Sequence, residues 1–258
     1  INVQGGAQIQ KFEKEASDYE ENRHFFLSHY FRNNYEASLA NLPVISSRAT
    51  VTRVEVWVSN RNNAVENTKN IIGFMDLGEG VQGDIHNNTL VLDANIAPNF
   101  NFPDNEANTL YPNLTGASTY DTATIRGFVN SAQELEGIGY ENGIDFEKYE
   151  NARLLGPQEF TLNPQLGYIS LNSALNQDDI LAVSFQYTLD GQVYQVGEFS
   201  TDGVPGQSAL YVKLLRGTTL DTEIPMWDLM MKNVYALGAF NISQEDFFFN
   251  IFYLNPAT

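Results

Sequence analysis

The spacing of apolar positions changes several times along the chain, and each change marks an element. Between residues 17 and 43 it is helical: Phe26 and Tyr30, with Leu27 and Phe31 beside them, give one strongly aromatic face. Ser17 or Asp18 is placed to accept hydrogen bonds from the first free backbone N–H groups. Glu20 and Glu21 lie where a helix N-terminus favours negative charge. Pro43 stops helical continuation. From Val51 the period falls to two, with Val51, Arg53, Glu55, Trp57 and Ser59 on one face and Thr52, Val54, Val56 and Val58 on the other. That alternation predicts a strand with one buried face. The stretch 17–61 therefore predicts a helix laid across a sheet.

A polar connection at 60–70 leads to a second strand at 71–77, most simply the antiparallel partner of the first. After a Gly- and Asn-rich loop at 78–88, residues 89–96 are a further strand candidate, and the Pro- and Asn-rich segment 98–119 has no regular period. Ile125, Phe128, Val129, Ala132 and Leu135 fall along one side of a helix over 120–136, which Gly127 weakens. Residues 145–155 read as a second short helix with Phe146 and Tyr149 inward. From Pro157 the texture becomes β, with strand candidates at 167–171, 180–189, 192–201 and 209–215. Asp190-Gly191 is a strong two-residue hairpin signal, because both positions tolerate positive φ. Pro225 marks the start of a helix over 226–236, and 244–254 returns as strand. The fold class predicted is α+β, mainly β. A helix-on-sheet domain spans 1–155 and a small antiparallel β-sandwich-like domain with one helix spans 156–258, the boundary falling near Arg153 to Gln158.

Composition narrows the classes of function. A chain of 258 residues buries a proper core, and with 12% aromatic and only 18% charged residues it is no disordered polyelectrolyte. The formal charge is −18. That argues against a nucleic-acid partner, whose phosphates demand Lys and Arg, and against flat docking on anionic lipid. Solubility and self-repulsion at the surface of an exported protein is the simplest reading. There is no cysteine, which removes disulfides, thiolate metal sites and thiol catalysis. The chain starts at Ile1 without a signal pattern, so it reads as a processed product or a piece of something longer. No apolar run approaches the ~20 residues of a membrane helix. The longest, 247–249 and 251–254, are interrupted by Asn250.

Candidate chemistry is sparse. Gly78-Glu79-Gly80-Val81-Gln82-Gly83 spells GxGxxG after a strand, but no helical pattern follows, and Glu79 and Asp84 repel phosphate; it reads as a turn. Asp76, Glu79 and Asp84 in that loop offer oxygen ligands to a hard cation, against a solvated loop as the plainer reading. His24 and His29 lie five apart, poor spacing for a shared metal on one helix face, and His86 stands apart. No HExxH, no GxSxG and no selected carboxylate pair appears. No catalytic, cofactor or metal residue is assigned, and no cofactor is expected. Trp57 and Trp227 are the candidate partner or ligand contacts, through surface stacking. For Trp57 the plainer alternative is packing beneath the Phe26–Tyr30 helix.

Long phrases of the chain resemble one family in order: RHFFLSHYFRNNYEASLANLPVI, TRVEVWVSNR, IGYENGIDFEKYENARLL, GYISLNSALNQDDILAVSFQYTLDGQVYQVGEFSTDG, and LYVKLLRG with PMWDLMMKNVYALGAF. These are similar to the SprA (Sov) family, giant outer-membrane proteins of type IX secretion and gliding motility in Bacteroidetes. The resemblance is poorest around 98–121. It implies a non-catalytic module of an outer-membrane translocon, on the periplasmic or extracellular side and not itself membrane-spanning. This module would shape the conduit or bind secretion-system proteins or exported cargo. The alternative from residues alone is a carbohydrate-binding β-sandwich at the cell surface, reading sugar with Trp, Tyr and Asn.

Overall fold

A computed structural model describes residues 11–61, 66–91, 101–116, 120–205, 208–238 and 247–253. In chain order the strands are β1 (His24–Phe26), β2 (Ala49–Val58), β3 (Thr68–Phe74), β4 (Phe146–Leu154), β5 (Phe160–Asn163), β6 (Tyr168–Leu171), β7 (Leu181–Leu189), β8 (Gln192–Val196) and β9 (Leu210–Arg216). The helices are α1 (His29–Leu39), α2 (Asn88–Val91), α3 (Leu110–Thr115), α4 (Thr122–Arg126) and α5 (Ser131–Ile138). Two 3-10 segments lie at Gln82–Asp84 and Pro225–Leu229.

The main sheet runs β2-β4-β3-β9-β7-β8, and β2 pairs with β7 along its other edge. Five strands thus close into a barrel-like ring, with β8 following β9 along β7. All pairings are antiparallel except β3 with β9. Alternate residues of the ring serve two cores. Trp57, Ile71, Ala152, Ala182, Val212 and Leu214, drawn from all five strands, pack together inside it. The opposite faces carry Val56, Ile72, Phe74, Phe146, Val183, Tyr211 and Leu215 in the larger core, shared with Phe31 of α1 and with Leu110, Leu114 and Leu135 of α3 and α5. A second sheet, β1-β6-β5, contributes Phe25, Ile169 and Leu171 to that larger core. Closure suits this sequence because a ring leaves few strand edges to protect.

Several expectations are corrected. The helix expected over 17–43 is confined to His29–Leu39, and His24–Phe26 is strand. Phe25, Phe26 and Leu27 are buried in succession, which one face of a helix cannot achieve. The helix expected over 145–155 is β4. Its register against β3 shifts at Lys69/Ile71, and Asn151 there has φ +52. The irregularity puts Tyr149 and Ala152 on the same side, a three-residue spacing that mimics a helix. Because β4 is a strand, it lies between β2 and β3, which are not each other's partners. A similar shift between Val51 and Arg53 brings Val51 into the same core as Val56 and Val58, so β2 is not strictly alternating.

Helix over 120–136 is broken into α4 and α5 at Gly127, which ends α4 by donating to the Ala123 carbonyl. The strand proposed over 89–96 begins instead as α2; residues 92–96 lie outside the described residues. The 226–236 helix is only the 3-10 turn Pro225–Leu229, after which Met230 bridges to Phe25. Residues 247–253 of the 244–254 strand are not strand, and 244–246 and 254 lie outside the described residues. The Asp190-Gly191 hairpin is as expected: φ is +51 and +83, and Leu189 faces Gln192. Strands from either side of residue 155 interleave. β7 and β9 complete the ring begun by β2, β3 and β4, and β6 pairs with β1, so 156–258 does not build a sandwich of its own. The chain is mainly β with short helices.

Candidate functional site

The most concentrated chemistry lies where α1 begins. Gly78 has φ +74, and a Cβ there would meet Val196 at 2.7 Å, so the loop after β3 turns tightly against β8. That turn drives Glu79 inward, where it is 2% exposed. Glu79 Oε1 accepts from the His29 backbone N–H at 3.2 Å, from His29 Nδ1 at 3.0 Å and from Lys213 Nζ at 2.8 Å. Lys213, on β9 and fully buried, also donates to the Met75 carbonyl. His29 Nε2 donates to the Pro225 carbonyl at 2.9 Å. Burial alone would push the Glu79 carboxyl up, but Lys213 and His29 hold it down at about 2. For His29, burial opposes the charge while Glu79 favours it, and the balance raises its pKa above the ordinary imidazole value.

The neighbouring residues finish the loop rather than open a cleft. Asp76 accepts from the His86 and Asn87 N–H groups at 2.9 and 2.8 Å, and burial pushes its pKa up. Asn108 donates to the Asp76 and Glu79 carbonyls at 2.7 and 2.9 Å. Asp84 accepts from Asn33 at 3.1 Å. The three carboxylates proposed for a cation therefore turn to three different sets of partners. Among the described residues no group of three or more His, Asp or Glu is arranged to hold a metal ion. The GxGxxG loop is followed by the turn Gln82–Asp84, which lacks the helix a phosphate cradle requires.

A second, partly buried pair lies along the ring. Arg126 grips Glu198 with two nitrogens at 3.0 and 2.6 Å and stacks 4.3 Å from the centre of the Tyr211 ring. Glu198 also accepts from Tyr111 Oη at 3.2 Å and from the Tyr211 N–H at 2.9 Å. These contacts tie α3 and α4 to β9.

Of the sequence candidates, Trp57 is 1% exposed and sits inside the ring, on the far side of β2 from α1. It therefore packs, but not beneath the α1 helix. Room for the indole comes from small neighbours: Ala152, Ala182 and Gly73, where a Cβ would already crowd Leu214 at 3.0 Å. Trp227 is half-buried in the 3-10 turn, with the Lys232 ammonium 4.8 Å from its ring centre. The two are not brought together. His24 bonds Ser170 and Glu20, apart from His29. Lys213 was the residue missed. Its signal was a cation in the middle of the apolar strand LYVKLLR, a position that demands a buried anion.

Among the described residues the surface carries one strongly apolar stretch. Phe248, Phe249, Ile251, Phe252 and Tyr253 are each at least 73% exposed and belong to neither core. No helix among the described residues is long and apolar enough to cross a membrane.

The described residues thus combine a buried ionic clamp with an exposed aromatic run at 247–253. A family model for the SprA N-terminal region, described as a motility related/secretion protein, matches residues 1–177. The chain belongs to that family. No curated protein matches it closely enough to count as a relative.

Proposed function

We propose that this chain is a non-catalytic module of a SprA-like outer-membrane translocon of type IX secretion and gliding motility in Bacteroidetes. It lies on the periplasmic or extracellular side, and it binds partner subunits or exported cargo. The observation that carries this reading is the family match over residues 1–177. The exposed run 247–253 supports the contact role, since covering each aromatic side chain on a partner contributes about 2 kcal/mol. The carbohydrate reading has less support, because Trp57 inside the ring offers no face to a sugar.

The test is affinity isolation, with the full chain as bait against solubilised envelope of its source bacterium and mass spectrometry of what is retained. Secretion-system subunits or cargo are expected above a denatured-bait control, and they should be lost with Phe248→Ser/Phe252→Ser. Retention of glycan alone, competed off by sugar, overturns the reading, as does retention of nothing.

A further inference from the structure

Only a doubly protonated imidazole satisfies the surroundings of His29. Nδ1 faces the Glu79 carboxylate at 3.0 Å and Nε2 faces the Pro225 carbonyl oxygen at 2.9 Å. Both neighbours are acceptors, so both ring nitrogens carry hydrogens. The two bonds differ in what they join. The first stays within the Glu79 clamp. The second crosses to the segment 224–231, which is also tied to residues 24–32 by core packing, by Met231 N to the His24 carbonyl at 2.9 Å, by a bridge from Met230 to Phe25, and by a surface pair of Arg32 with Asp228 at 3.1 Å.

This segment helps to line a small pocket with Phe25, Leu215, Thr219 and Asp221, and its Leu229, Met230 and Met231 are buried in the larger core. Arg216 lines the same pocket. It is buried, and its Nε–H meets no acceptor. We infer that His29 is a proton-operated latch: charged, it ties the 3-10 turn at Pro225 to Glu79, and neutral, it gives up the Pro225 bond and loosens that turn while staying bound to Glu79.

The asymmetry follows from bond strength. A neutral imidazole keeps one N–H, and a bond to an ionised carboxylate is roughly twice as strong as one to a neutral carbonyl. The hydrogen therefore stays on Nδ1. Nε2 then presents a lone pair to the Pro225 oxygen, and two acceptors at that distance repel. The charged groups facing His29 are Glu79 from the loop after β3, Lys213 from β9 and Asp84 from the 3-10 turn. On α1 itself, Arg32 is engaged by Asp228. Glu79 dominates this set, so the proton is held above the ordinary imidazole range. The latch stays shut through neutral pH and opens on the alkaline side, loosening the turn that carries Trp227.

Trp227 lies in the latched segment, whereas Trp57 is a buried background. Acrylamide quenching of the full chain is expected to rise with a one-proton midpoint above ~6.5, the value of a free imidazole. The rise should vanish in Trp227→Phe and in His29→Gln. Lys232 touches the Trp227 carbonyl at 2.8 Å and lies over its ring, so Lys232→Gln is the control that should keep the transition. A flat wild-type profile, a transition that survives His29→Gln, or one lost in Lys232→Gln overturns the latch. Should His29→Gln fail to fold, nitrogen-15 spectra of the wild-type histidine rings decide, with His24→Asn and His86→Asn for assignment. Two protonated ring nitrogens on His29 at neutral pH are expected, and one overturns the inference.

Discussion

Glu79 shows how far a residue's role departs from its letter: in the sequence it is one acidic residue among many in a polar loop, and in the fold it is the shared anion of two buried cations. Removing it leaves Lys213 and His29 both uncompensated, whereas removing Lys213 leaves the His29–Glu79 pair intact. Glu79→Gln is therefore expected to cost about 3–5 kcal/mol, the range for breaking a buried pair. Lys213→Met should cost clearly less, since its stem is replaced by apolar volume. Thermal unfolding of both variants compares them, and equal losses would show that the charges do not act as one group. The clamp also sets a pH window. The carboxyl of Glu79 is depressed in the fold, so its contribution is present above ~4.5 and lost as pH falls through about 2. The proton on His29 is held more tightly in the fold, so its contribution is full below ~6.5 and lost as pH rises through the folded value. Denaturant midpoints across pH should decline on the alkaline side in the wild type and not in His29→Gln.

At the scale of elements, turns decide how strands meet. Gly167, at φ +62, lies where the β5–β6 connection runs under α1, and a Cβ there would overlap the Phe31 ring. Gly191, at φ +83 in the β7–β8 hairpin, has nothing within 4 Å of the Cβ position. Both substitutions to Ala carry the left-handed strain of roughly 1–2 kcal/mol. Only Gly167→Ala adds a clash within the core, so it should destabilise the chain by at least about 1 kcal/mol more. Chemical denaturation measures the difference, and equal values would mean that Phe31 moves aside freely. The same scale explains the misread helix at 145–155. A strand with one irregularity shows a three-residue apolar spacing, and local periodicity cannot separate that from a helix.

For the whole molecule, the ring is the cooperative unit. β2 pairs with β7 across 123–140 residues of sequence, and β3 with β9 across 139. Fragments 1–155 and 156–258, made separately, are therefore each expected to lack dispersed amide resonances, while the full chain melts in one transition. A folded half would show that the closed sheet is not needed. The exposed run 247–253 stands outside this unit. Phe248→Ser/Phe252→Ser should leave thermal stability unchanged to within about 0.5 kcal/mol while removing partner retention.

The sequence by itself determined the local features. These are the strands at β2, β3, β6, β7 and β9, the Asp190-Gly191 hairpin, the mainly β class, the turn at Gly78–Gly83, and the family, through long ordered phrases rather than short motifs. Each rests on neighbours a few residues apart, where period and turn chemistry act directly. Tertiary structure alone decided what depends on residues far apart in the chain. It placed β4 between β2 and β3, closed five strands into a ring and put Trp57 inside it. It also brought Lys213, His29 and Glu79 to one point from three separate elements. A charge in an apolar strand announces that a counter-ion is needed, but only the pairing of β3 with β9 selects which carboxylate reaches it.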